Sequence, residues 1–141
     1  LKILKKKIVF EKNYWKINAS HDGYLKLHGI VHDRKVEFYP EHLKFIGHDK
    51  IISSKGIKSL KFEIRFHLEP NVKLMKTQNG KSILIDLDGE GWKFSSENSK
   101  INIEEGLYFG EKNSFTNNQN IFISGMTNEE NQTIRWEITK L

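Results

Sequence analysis

The sequence predicts an all-β fold, an antiparallel β-sandwich of roughly ten or more strands in a single domain. Three observations lead there. Apolar residues recur at every second position through much of the chain, as in "LKFEIRFHL" at 60–68. Gly, Asn, Asp and Pro turn signals punctuate these runs about every 8–12 residues, the spacing of short antiparallel strands. No window carries an apolar stripe at helical spacing.

Taken in order, "KKIVF" and "YWKINAS" read as the first strands. Residues 24–38 follow as one long strand, or as two strands bent near Gly29. There Tyr24, Lys26, His28, His32 and Arg34 share one parity, and Leu25, Leu27 and Val31 the other. From Val36 and Phe38 the apolar side moves to even positions, so a bulge is expected at Gly29 or at His32-Asp33. Turns are expected at Tyr39-Pro40-Glu41 and Gly47-His48-Asp49. In 60–68, Leu60, Phe62, Ile64, Phe66 and Leu68 face a core, while Lys61, Glu63, Arg65 and His67 face away. Asn79-Gly80 suits a type I′ hairpin turn, and Asp88-Gly89-Glu90-Gly91 marks the next one. Ile83, Ile85 and Leu87 lie between them; Trp92 and Phe94, Ile101 and Ile103, and Ile121 and Ile123 continue the alternation. Residues 113–120 read as a polar loop, and 127–132 close a final hairpin onto Ile134, Trp136 and Ile138.

Composition narrows the chemistry. The chain of 141 residues has no cysteine, which removes disulfides and thiolate catalysis. No apolar run approaches the roughly 18 residues of a membrane-spanning helix. The net charge of +5 admits a polyanionic partner, either nucleic acid or an acidic polysaccharide. A Lys-, Asn- and Ile-rich background explains the charge as well, because Arg occurs only at Arg34, Arg65 and Arg135. Nucleic-acid readers combine Arg with aromatic platforms in recognisable motifs, and none is present. Nor is there a nucleophile elbow or a phosphate-binding loop.

One stretch departs from this quiet pattern. "ASHDGYLKLHGIVHDRKVEF" at 19–38 gathers His21, Asp22, Tyr24, His28, His32, Asp33 and Arg34. On a strand, Tyr24, His28, His32 and Arg34 stand in a row, every second residue about 7 Å apart. The His and Asp spacings lack the tight pattern of a zinc site, so no metal ligands are assigned. The plain reading is a structural corner. In it His21 and Asp22 tie backbone, Arg34 pairs with Asp33 or Glu37, and His28, His42 and His48 lie on solvated surface.

"SHDGYLKLHGIVHDRKVEF", then "LKFIGHDKI", "FEIRFHLEPNVKL", "GEGWKF", "IEEGLYFG" and "NIFISG", in that order, resemble the C-terminal β-sandwich region of bacterial heparinase II/III-like proteins. The resemblance runs from about residue 19 to residue 141. It implies that the chain is the C-terminal part of a longer protein with an N-terminal α/α toroid. It further implies a polysaccharide lyase that cleaves uronic-acid-containing chains, glycosaminoglycan- or alginate-like, by β-elimination. The partners implied are an acidic polysaccharide and the toroid of the same chain, in the periplasm or cell envelope. Any divalent metal of the parent is expected outside these residues, and the isolated domain is expected to be inactive.

β-Elimination removes the C5 proton of a uronate and expels the O4 leaving group. The substrate carboxylate needs a cationic or hydrogen-donating contact so that the enolate-like charge is tolerated. A base must take the proton and an acid must protonate the leaving oxygen. By the resemblance, Tyr24 is the acid/base, His21 or His32 its partner or orienter, and Arg34 the carboxylate contact, with Arg65 and His67 contributing to substrate binding. The competing expectation is a non-catalytic domain that binds an acidic glycan or supports the toroid, using Lys side chains and exposed aromatics such as Tyr14, Trp15 or Trp92.

Overall fold

A computed structural model describes residues 1–56 and 59–141. Among them, eleven strands form two antiparallel sheets. Strands β1 (Ile3–Glu11), β2 (Tyr14–Tyr24), β3 (Ile30–Tyr39) and β4 (Lys44–Ser53) make a meander at one side of the larger sheet. That sheet continues through β11 (Asn131–Lys140), β8 (Glu90–Ser96), β7 (Ser82–Leu87) and β6 (Lys73–Lys76). The smaller sheet has the order β5 (Lys61–His67), β10 (Thr116–Met126), β9 (Lys100–Tyr108).

The two apolar faces meet as period-2 patterning requires. Ile64 from β5, Ile101 from β9, and Ile121 and Ile123 from β10 pack against Ile83, Ile85, Phe94, Ile134 and Trp136 of the larger sheet. Phe94, Ile83 and Ile123 are fully buried, each contributing about 1.5–3 kcal/mol by removal from water. Phe66 stands edge-on to both Phe94 and Trp136, with centroids 4.9 and 4.8 Å apart.

Several local expectations change. Residues 24–28 do not extend as strand: Leu25–His28 form one helical turn, α1, which Gly29 ends at φ 70°. Leu25 and Leu27 are exposed there, so their parity was never that of a sheet face. The irregularity falls between His21 and Tyr24 of β2, and β3 pairs with β4 in unbroken register. Gly47-His48-Asp49 is no turn but the middle of β4; the glycine is needed because the Trp136 indole lies on it, where a Cβ would sit 2.0 Å from the ring. Asn79 does not take positive φ, whereas Asp88 (52°) and Gly89 (83°) both do, so the I′ pattern belongs to the β7–β8 turn. The polar stretch 113–120 enters strand at Thr116, with Asn118 and Asn120 buried. Residues 127–130 cross from one sheet to the other instead of closing a hairpin, since β10 and β11 belong to different sheets.

Candidate functional site

Even-numbered residues of β3 point toward the smaller sheet. Ile30 is buried and Val36 packs on the core, so His32 and Arg34 interrupt an apolar row on the inner face. Cross-strand pairing sets His21 of β2 beside His32, and Asp49 of β4 beside Arg34. Four polar groups on a core face demand partners, and they have them.

Asp49 is the hub. It is fully buried, and its carboxylate accepts three side-chain hydrogen bonds. His32 Nε2 lies 2.6 Å and Arg34 Nε 2.7 Å from Oδ1, and Trp136 Nε1 donates to Oδ2 at 2.7 Å. Burial pushes this carboxyl up, but the hydrogen bonds from His32 and Arg34 and the Arg34 charge outweigh it, holding Asp49 below the ordinary carboxylate range. The Arg34 guanidinium also lies over the Phe66 ring, 5.5 Å from its centroid.

A chain of imidazoles leads outward from this hub. His32 Nδ1 faces His21 Nε2 at 3.2 Å, and the Gly23 backbone N–H donates to His21 Nδ1 at 3.2 Å. An N–H only donates, which leaves His21 Nδ1 as the acceptor. In neutral His21 the proton then sits on Nε2 and points at His32 Nδ1, and the His32 proton sits on Nε2 and points at Asp49. Burial lowers the His21 pKa, and His32 lowers it further against an upward pull from Asp22, which favours this neutral arrangement. Asp22 itself accepts from the Lys2 backbone N–H at 2.6 Å.

The imidazole pair and Arg34, but not the buried Asp49 behind them, line a cavity of about 580 Å³ between the inner face of β2–β3 and β5. His21, Tyr24, His28, His32, Arg34, Arg65 and His67 all contribute to its wall, with Phe62 and Ile64 as apolar lining. Tyr24 is 52% exposed, its ring 5.5 Å from that of His21. Arg34 is 36% exposed, and among the described residues only its Nε has a hydrogen-bond partner, so both Nη groups remain for a ligand. Arg34 pairs with Asp49 and not with Asp33 or Glu37. Arg65 and His67 belong to the outward side of β5. The Arg65 guanidinium is already matched there by Glu63 and Glu104 and stacks on Phe122.

The residue that sequence reasoning missed is Asp49, read as part of a turn. Its signal is parity: Phe45, Gly47, Asp49 and Ile51 alternate on one side of "FIGHDKI", and the carboxylate occupies an apolar slot. Among the described residues no three His, Asp or Glu side chains form a metal-holding group. His21, His32 and Asp49 approach one another, but the imidazole nitrogens between them are spent on each other.

Comparison with known proteins gives a consistent setting. Residues 2–137 match the family described as Heparinase II/III-like, C-terminal. The heparan sulfate lyase HepC of Pedobacter heparinus superposes with a TM-score of 0.82 at 14% identity, over 99% of this chain and 22% of that one. A heparinase III structure gives 0.76 at 15% identity, again over 99% and 22%. The FtsZ-localized protein C of Caulobacter vibrioides is 26% identical over 133 residues, 88% of this chain and 23% of the relative. The chain thus spans less than a quarter of the length of these proteins.

Proposed function

The chain belongs to the heparinase II/III-like, C-terminal family, and from that premise we propose that it is the β-sandwich half of a polysaccharide lyase acting on uronate-containing chains. In this reading the parent works in the periplasm or cell envelope, and a helical toroid of the same chain completes the cleft. The observation that carries the reading is the convergence of a half-exposed phenol, a cavity-facing guanidinium and an anchored imidazole pair on one cavity.

Roles follow from which atoms are free. Arg34 is fixed through Nε by Asp49, so its Nη edge meets a substrate carboxylate as a preorganised donor pair. The hydroxyl of Tyr24 has no hydrogen-bond partner among the described residues and serves as the acid/base. His21 and His32 have their ring nitrogens engaged with Gly23, each other and Asp49. They are therefore positioning residues that hold the wall beside Tyr24. That same closure favours the second reading, a binding or support domain in which the imidazoles only tie β2, β3 and β4 together.

Turnover of the full-length parent on heparan, chondroitin, alginate and hyaluronan substrates decides between them, followed by the ultraviolet absorbance of the unsaturated uronate. Tyr24→Phe is expected to lower product formation by on the order of 10²–10⁴-fold with an unchanged melting temperature. Full turnover in that variant removes Tyr24 from the chemistry. Glycan binding by the wild-type parent with no new absorbance establishes the second reading.

A further inference from the structure

The net charge of the chain is confined to one hairpin. Residues 1–17 hold six lysines, Lys2, Lys5, Lys6, Lys7, Lys12 and Lys16, against the single acid Glu11, which gives +5. The other 124 residues hold 17 Lys and Arg and 17 Asp and Glu, and so cancel. A Lys-rich background would spread the excess along the chain; here it collects on β1, β2 and the turn between them. Among the described residues, several cations elsewhere are matched by carboxylates. Lys35 pairs with Glu37, Lys44 and Arg135 with Glu137, and Lys140 with Glu90. In the hairpin only Lys5 has such a partner among them, Asp33 at 3.9 Å, and an exposed pair of that length is weak.

The cavity shows a different balance. Its cations Arg34, Lys61 and Arg65 are met by Asp49, Glu63 and Glu104, so its wall carries no excess fixed charge to hold a polyanion. The hairpin begins at this wall. The Lys2 backbone N–H donates to Asp22 Oδ1 at 2.6 Å, the Asp22 N–H donates to the Lys2 carbonyl at 3.1 Å, and Ile3 pairs with His21. From Lys2 to Lys12 the chain then runs about 33 Å away from the cavity at the rise of a strand. Lys5 and Lys7 lie on the outer face, opposite Ser20 and Asn18, and Lys6 on the inner face, opposite Ala19. The charges therefore flank the strand as a line.

We infer that the β1–β2 hairpin is a binding track for an acidic polysaccharide, holding the stretch of polymer that continues beyond the unit seated in the cavity. A linear polyanion suits lysines set along one strand and on both its faces. A lipid surface would meet one face only, and Ile8, Phe10 and Ile17 project opposite to Lys5, Lys7 and Lys16. Single-stranded nucleic acid favours arginine and free aromatic faces. The hairpin has no Arg, and Phe10 and Trp15 stack on each other with centroids 4.8 Å apart. Lysines on an edge strand also deter strand addition, but Lys12 in the turn and Lys16 on the internal strand β2 guard no edge. The course of the polymer rests on the proposed reaction site; capture by the lysines does not.

Titration of the full-length parent with long heparan sulfate and alginate chains, over a range of salt, tests this. Lys5→Gln, Lys6→Gln and Lys7→Gln together are expected to weaken binding at least about tenfold and to lower the slope of log K against log salt by about one or more. These side chains are exposed, so the melting temperature should hold. Lys81→Gln, Lys100→Gln and Lys112→Gln together remove the same charge from exposed positions elsewhere. They are expected to leave binding within about twofold, because salt screens distant charges. Unchanged binding in the hairpin variant overturns the inference. So does an equal loss in the distal variant, which would make net charge the cause. Capture by phosphatidylglycerol–phosphatidylcholine vesicles that excess glycan does not displace also overturns it, in favour of a membrane. Where the parent turns the polymer over, the hairpin variant should raise KM on long chains and leave kcat and tetrasaccharide turnover unchanged; a matching loss on tetrasaccharides overturns the track. Binding through the hairpin with no turnover defeats the proposed lyase and leaves the track standing.

Discussion

Removing the Asp49 carboxylate is the sharpest perturbation of this domain. Asp49→Ala leaves three donors without an acceptor: His32 Nε2, Arg34 Nε and Trp136 Nε1. The indole N–H is the most costly, because Trp136 is only 5% exposed and water does not reach it; an unsatisfied buried donor costs about 1–3 kcal/mol. Arg34 is 36% exposed, so solvent recovers part of its charge, and the lost ion pair contributes at the lower end of the range for buried pairs. The total is about 3–5 kcal/mol. Asp49→Asn retains the shape but offers one acceptor oxygen where two are used. Its amide N–H groups oppose either the indole or the guanidinium, so it should recover less than half of the loss. Urea unfolding of the parent, followed by the tryptophan fluorescence of this domain, reads both variants. A loss below about 1 kcal/mol for Asp49→Ala would refute the hub, since that is the range of an exposed pair.

Gly47→Ala should be nearly as damaging, by about 2–3 kcal/mol. The new Cβ meets the middle of an indole that is held by Asp49 and stacked at 6.2 Å on Phe94; the same unfolding measurement checks it. Stability should fall on mild acidification. Burial first, then His32 for His21 and Lys35 for His48, depress both imidazoles in the folded state. Their contribution is complete above the unfolded value of about 6.5 and is lost as pH falls toward the folded values. Melting temperature against pH should slope downward below that point, and His21→Gln should flatten part of the slope. Tyr14 should resist ionisation, with its pKa pushed up to about 12 first by its hydrogen bond to Glu37 and then by burial. A phenolate titration with Tyr14→Phe as reference would show that late component.

The sequence by itself determined the all-β class and the inner and outer faces of β5, because strand periodicity is a local property written in consecutive residues. It also marked the stretch that holds His21, Tyr24, His32 and Arg34, since polar groups crowded into one short run of sequence are visible before it is known which strands carry them. Tertiary structure alone decided that Asp49 joins them. Its partners come from β3 and from Trp136, 87 positions along the chain, and no local pattern encodes which strand lies beside which. The same holds for Gly47, whose local signal suggests a turn but whose role is to admit an indole. It holds equally for residues 127–130, where polar turn chemistry looks identical whether the chain folds back on its own sheet or crosses to the other.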